Sequence, residues 1–397
     1  MPNQFLSPEG DLENYFVSEY FLIDQWIGDE LWTWGNGSKG QLGNNTLTNK
    51  LTPVATFAGG TNWKQVSSGV NYCAAIKTDG TLWTWGYGTS GQLGDNPAVL
   101  ITADKHTPVT TFAGGTNWKQ VSAGGYHCAA IKTDGTLWTW GKATEGQLGD
   151  TTITSKSTPV TTFAGGTTWK QVSAGREHCA AIKTDGTLWT WGAGTSVQLG
   201  NNAATSKSTP VTTFAGGTNW KQVSSGSAHC AAIKTDGTLW TWGYGLSGQL
   251  GNNASTNRST PVTTFAGGTN WKQVSAGGYH CAAIKTDGTL WTWGRGTTVQ
   301  LGTNNTTNIP TPVTTFAGGT TWKQVSTGRT HCAAIKTDGT LWTWGNGSSG
   351  QLGNNDSTNR STPVTTFAGG TNWKQVSSSD NNCIAVTSGI PADLPLS

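Results

Sequence analysis

HCAAIKTDGTLWTWG, His127–Gly141, is the stretch whose reading decides the fold. Near-copies recur along the whole chain, and the first Trp of each LWTWG falls at Trp32, Trp83, Trp138, Trp189, Trp240, Trp291 and Trp342. The spacing is 51 residues everywhere except between Trp83 and Trp138, where it is 55. A fixed period of this length marks one supersecondary unit repeated. Within LWTWG the two Trp stand two apart, so on a strand both face the same side. Between CAAIKT and LWTWG stands Asp-Gly, as at Asp134-Gly135. That dipeptide predicts a hairpin closed by a type I′ turn, whose central residues need positive φ. Upstream, TPVTTF and NWKQVS are two further β-prone runs, with turn-forming AGGTN between them. Each repeat therefore reads as a four-stranded antiparallel meander that begins at TPV.

Counting the runs decides what the meanders build. TPV occurs seven times, from Pro53 to Pro363, and WKQVS and LWTWG also occur seven times each. Their registers are offset: LWTWG at Leu31–Gly35 has no CAAIKT before it, and the run Cys383–Val386 has no LWTWG after it. Pairing residues 31–35 with the blade begun at Pro363 would close a ring and remove its open edges. The expectation is an all-β chain forming a seven-bladed β-propeller of four-stranded antiparallel blades over 29–389. An acidic aromatic arm, 1–28, precedes the ring and a loose tail, 390–397, follows it.

VSAGGYHCAAIKTDGTLWTWG followed by GQLG resembles the repeat of the regulator-of-chromosome-condensation family, with its G-x-x-H, its D-G hairpin and its W-G…G-Q-L-G run. The resemblance covers residues 29 to 389 and implies a seven-bladed propeller. Cys follows the His, as at Cys128, where the family pattern has Thr. The copies are also more alike than is usual there, which points to recent internal duplication. Some members of that family act as guanine-nucleotide exchange factors for small GTPases. Ultraviolet-B sensing in the family relies on tryptophans in the G-x-x-H windows, and none of the windows here contains Trp. The repeated tryptophans therefore read as inter-blade packing. At the N-terminus, PEGDLENYF followed by LIDQWIGD resembles leaders of propeller proteins from marine bacteriophages.

Composition narrows the function. Charged residues make up 11% and the net charge is +3, which argues against both a disordered chain and a nucleic-acid binder. No run of eighteen apolar residues occurs, so no membrane insertion is expected, and the start lacks the basic region of a signal peptide. Residues 1 to 30 hold seven acids, six aromatics and no Lys or Arg, leaving 24 basic against 14 acidic residues in the remainder. Such an arm either folds back as a strap over the ring or anchors the protein to a partner through Tyr15, Phe16, Tyr20, Phe21 and Trp26. The longer second repeat, between Gly94 and Pro108, carries the unrepeated His106 and reads as a surface bulge.

No catalytic constellation emerges, and no cofactor is implied. The seven cysteines, one per repeat from Cys73 to Cys383, are an odd set without C-x-x-C, and they read as small buried residues of a protein folded in a reducing cytoplasm. Five follow a His (His127, His178, His229, His280, His331), but neighbours on a strand face opposite ways, so a His bonded to backbone is expected rather than a metal ligand. The Asp of each TDG sits in a turn. G-x-G-x-x-G at Gly35–Gly40 and Gly86–Gly91 has no helix to present to phosphate.

The copies differ in three places: the G-x-x-H window, the residues after LWTWG, and the segment before TPV. Strand polarity puts all three at one end of the blade, so one face of the ring is varied and the other uniform. On the varied face stand Tyr87, Tyr126, Lys142, Glu145, Arg176, Glu177, Tyr244, Tyr279, Arg295 and Arg329. Variation on a fixed scaffold, rich in Tyr and Arg, suits a binding surface, although exposed loops also drift. The expectation is a non-enzymatic scaffold that binds a protein or glycan through this face, most sharply a virion-associated structural or host-recognition protein assembled through its arm. An exchange factor would need an acidic, individually tailored face, whereas this one is mixed to basic. A lectin would stack the tyrosines on sugar rings.

Overall fold

The computed structural model describes residues 29–95 and 103–388; the arm, the middle of the second-repeat insertion and the tail lie outside the described residues. Twenty-eight strands, β1–β28 in chain order, make seven four-stranded antiparallel sheets. A representative blade runs from β7 (Trp118–Ala123) at the channel through β8 (His127–Lys132) and β9 (Leu137–Gly141) to β10 (Lys156–Thr161) at the circumference.

The inner WKQVS strands are stitched to one another by side chains. Gln120 Nε2 donates to the Val172 carbonyl, and Gln120 Oε1 accepts from the Val172 N–H, both at 3.1 Å. Ser122 Oγ accepts from the Ala174 N–H at 2.9 Å. Glutamine makes the equivalent contact at every junction, including Gln375 with the Val66 N–H where the two ends of the chain meet. Backbone groups on the inner edges, otherwise unpaired, are thereby satisfied.

Ring closure follows the expected pairing. β1 (Asp29–Gly35) pairs with β28 (Asn382–Ser388), from Asp29↔Ser388 to Gly35↔Asn382, with β27 (Trp373–Ser378) inside it and β2 (Lys50–Ala55) outside. The blade phase, however, differs from the sequence reading. Pro363 lies in β26 (Arg360–Thr365), which pairs with β25 (Leu341–Gly345), so TPV is the outer, fourth strand of the preceding blade and not the first of its own. The closing blade thus begins at Trp373 and takes two strands from the N-terminal side. The reason is local: the Thr162 N–H still donates to Leu137 O and the Phe163 N–H to Gly149 O, both on the same blade. Only the Gly-Gly that follows carries the chain across to the next blade.

The turn at Asp134-Gly135 is a second correction. Only Gly135 has positive φ, +81°. The Gly135 N–H donates to Lys132 O and the Lys132 N–H to Thr136 O, each at 3.0 Å, which closes a three-residue loop rather than a type I′ turn. Asp134 Oδ1 accepts from the Thr136 N–H at 2.9 Å and its hydroxyl at 2.7 Å, fixing the carboxylate as a turn acceptor and holding its pKa below the usual value. A Cβ on Gly135 would sit 2.1 Å from Thr167 O. Gly135→Ala is therefore expected to cost at least ~2 kcal/mol, from φ strain plus clash, read as a lowered denaturant midpoint at unchanged slope.

The core lies between blades. Trp169, Val172, Cys179 and Trp191 of one blade pack on Ala129, Ile131 and Leu137 of the blade before. Trp169 meets Trp189 and Trp191 edge to face, each at 6.3 Å between ring centres, and Lys183 Nζ lies 4.8 Å and 4.6 Å from the Trp169 and Trp189 rings. Trp191 Nε1–H donates to Gln147 O of the previous blade at 2.9 Å, and Thr190 Oγ1 donates to Leu199 O at 2.7 Å. GQLG is thus the loop that each blade presents to the tryptophan of the next.

Candidate functional site: the varied face

The His-Cys pairs come first, since they carry the most chemical side chains. Opposite facing along the strand brings the His of one blade to the Cys of the next: His127 Nε2 lies 3.1 Å from Cys179 Sγ, and His178, His229, His280 and His331 meet Cys230, Cys281, Cys332 and Cys383 at 3.0–3.2 Å. The expected backbone partner is replaced by a thiol. In the first and last junctions Tyr72 and Asn382 take the place of His, bonding Cys128 and Cys73 at 3.5 Å. Cys179 Sγ lies 3.6 Å from Gln147 O, so the thiol donates to the carbonyl and His127 Nε2–H donates to sulfur, while His127 Nδ1 has no partner among the described residues. Burial holds His127 and His229 down to about 4, and His178, His280 and His331 to about 3. Burial likewise pushes Cys73, Cys128, Cys230 and Cys383 up to about 12. Neutral imidazole against neutral thiol is a structural contact, since nucleophilic cysteines need a stabilised thiolate. Among the described residues no group of three or more His, Cys, Asp or Glu is placed to hold a metal ion.

The varied residues do share one face. At each blade the residue before the His accepts, through its carbonyl, from the N–H of the residue after LWTWG: Tyr126 from Lys142, Glu177 from Ala193, Ala228 from Tyr244, Tyr279 from Arg295, and Asn71 from Tyr87. His127↔Gly141 and Gly141↔Lys156 register places the segment before TPV at the same end.

Nine of the ten residues form a connected arc. Lys39 Nζ lies 5.5 Å over the Tyr87 ring, Tyr87 meets Tyr126 edge-on at 6.3 Å, Lys142 lies 5.8 Å over Tyr126, and Lys142 pairs with Glu177 at 3.0 Å. Glu145, Arg176, Glu177, Tyr244 and Tyr279 then line one depression of about 400 Å³, and Arg295 stacks 5.4 Å over Tyr279. Arg329 lines the channel mouth together with Arg176, 3.7 Å from Asp380. Burial raises the Asp380 pKa, while Arg329 and Arg176 pull it back. Selection by residue type passed over Asp380, yet its register, equivalent to Arg176 and Arg329, would have found it. Tyr15, Phe16, Tyr20, Phe21 and Trp26 lie outside the described residues.

With this geometry in hand, known proteins are informative. The RCC1-like domain matches residues 27–263 and 97–390. The ultraviolet-B receptor UVR8 of Arabidopsis thaliana is 32% identical over 344 residues, covering 85% of this chain and 77% of the receptor. The human E3 ubiquitin-protein ligase HERC2 is 29% identical over 338 residues, but the chain spans only 7% of that protein's length. Among solved structures, Prp20p of Saccharomyces cerevisiae superposes with a TM-score of 0.80 at 19% identity, covering 92% of each chain, and human WBSCR16 with 0.79 at 21%, covering 91% and 99%. These structural likenesses speak to the fold alone. Matched across nearly its whole described length, this chain belongs to the family of RCC1-like domains.

Proposed function

We propose that this protein is a non-enzymatic scaffold that binds a protein partner through the varied face, centred on the depression lined by Arg176, Glu177, Tyr244 and Tyr279. The observation that carries the reading is that the aromatic and charged residues taken from the positions where the repeats differ form one continuous mixed-charge aromatic arc. Tyr and Arg anchors in a shallow pocket, rimmed by charge, are the anatomy of a protein interface. Solved relatives of this fold include Prp20p, described by its binding to Gsp1p and histones and in complex with Kap60, so protein partners suit the architecture. Neither a glycan ligand nor virion assembly through residues 1–28 is suggested by the relatives named above, and the proposal stops at protein binding. Seven buried free thiols fit a fold completed in a reducing cytoplasm.

The test is quantitative capture of partners by the full chain and by a Tyr126→Ala, Tyr244→Ala, Tyr279→Ala variant. A specific partner should bind the variant on the order of 30-fold more weakly, as expected for loss of ~2 kcal/mol of anchoring. A Lys119→Ala, Lys221→Ala variant of the uniform face should bind like the parent. The reverse pattern would sink the assignment. Accelerated nucleotide release from a captured small GTPase would select the exchange-factor alternative.

A further inference from the structure

The uniform face carries a ring of charge. The second residue of every inner strand is an exposed lysine: Lys64, Lys119, Lys170, Lys221, Lys272, Lys323 and Lys374. Three of them, Lys64, Lys323 and Lys374, with Gln324, Gln375 and Asp29, line a cavity of about 440 Å³ at that end of the channel. Only Lys374 has an ion-pair partner among the described residues, and that partner is Asp29. The other carboxylates repeated on this face, Asp79 to Asp338, are engaged by the Thr two residues on. The lysines that follow CAAI lie over tryptophan rings. Six ammonium groups without an ion-pair partner among the described residues, around one opening, repel one another and focus a positive potential there.

The first described residue of the chain emerges at that opening. Asp29 bridges to Asn62, beside Lys64, and pairs with Lys374. The 28 residues before it carry Glu9, Asp11, Glu13, Glu19 and Asp24 and no Lys or Arg. Five carboxylates thus precede Asp29 in the chain, and six ring lysines have no ion-pair partner among the described residues.

We propose that residues 1–28 of this same chain occupy the uniform face, with their carboxylates on the lysine ring, so that the arm neutralises that end of the channel and leaves the varied face open. Reach is ample, since Asp24 lies within ~17 Å of Asp29 along an extended chain and Glu9 within ~70 Å. Tethering makes the contact intramolecular, at an effective concentration on the order of millimolar for short flexible links, which disfavours a separate acidic peptide. A second copy is disfavoured as occupant because two uniform faces would bring lysine ring against lysine ring. The arm then acts as an electrostatic self-block: without it the ring would attract polyanions unselectively.

The experiment uses the full chain. A zero-length carbodiimide joins carboxylates to amines in direct contact, and peptide mass analysis of an equal mixture of isotope-labelled and unlabelled protein separates links within a chain from links between chains. The expected result is intrachain links from Glu9–Asp24 carboxylates to the seven ring lysines, falling on the order of tenfold at about 1 M salt. Links mainly to Lys39, Lys105 or Lys142 on the varied face, links mainly between labelled and unlabelled chains, or no links from the arm would each overturn the proposal. As a second readout, the variant Glu9→Gln, Asp11→Asn, Glu13→Gln, Glu19→Gln, Asp24→Asn should gain retention on heparin while keeping the parent's melting temperature. Unchanged retention would show the ring to be already uncovered.

Discussion

Between pH 6.5 and about 4 this protein should lose stability steeply, and the histidines are the reason. His127, His178, His229, His280 and His331 are fully buried, and no Nδ1 has a hydrogen-bond partner among the described residues, so a proton there would place an uncompensated charge in the interior. Burial holds their folded pKa at about 3 to about 4, below the usual 6.5. A depressed folded pKa means that the unfolded chain binds more protons as the pH falls. The stabilisation is complete above pH 6.5 and is lost on the way down to the folded pKa. Each histidine contributes a slope of about 1.4 kcal/mol per pH unit, so five together approach ~7 kcal/mol per unit near pH 5. That rivals the whole stability of an ordinary domain, about 5–15 kcal/mol. Denaturant midpoints from pH 8 to 5 would show the fall. A variant with all five changed to Asn, the residue at this place in Asn382, should show little slope over the same range. A flat profile for the parent would mean that the histidines are not buried neutral. The thiols bound the other side: with folded pKa raised to about 12 at Cys73, Cys128, Cys230 and Cys383, stability is present below the usual thiol pKa and drains as pH rises through it.

Trp191→Ala is expected to destabilise by ~3–5 kcal/mol, because a fully buried indole leaves a cavity between two blades and frees the Gln147 carbonyl. Trp169→Ala should cost as much. The double variant should fall short of the sum by ~0.5–1.5 kcal/mol, the coupling of their edge-to-face contact. Trp34→Ala tests closure by the same yardstick. Trp34 makes the same contacts across the junction of the chain ends, 6.1 Å edge-on to Trp373 and 3.0 Å from Nε1 to Gln351 O. If the ring is sealed there, its cost equals that of Trp191→Ala; a frayed seam would make it much smaller. Phe163→Ala serves as the internal control, because Phe163 is 71% exposed and should change stability by no more than ~0.5 kcal/mol.

The period of LWTWG and the two-apart tryptophans sufficed for the sheet, the blade number and the pairing of Leu31–Gly35 with the last blade, because alternation and repeat count are properties of the chain itself. The varied face was equally legible, since antiparallel polarity fixes which loops share an end. Three things needed the third dimension. TPV joined the preceding blade because Thr162 and Phe163 keep bonding backward, a choice that neither run's composition encodes. Phe57, Phe112, Phe163, Phe214, Phe265, Phe316 and Phe367 look like strand interior in TPVTTF but stand exposed, since the chain leaves the sheet at that residue. His127 and Cys179, 52 residues apart, meet only because the ring sets one blade's outward side against its neighbour's. Local pattern specifies the strand, while contacts between blades depend on how identical units are rotated about a common axis, and no single repeat contains that information.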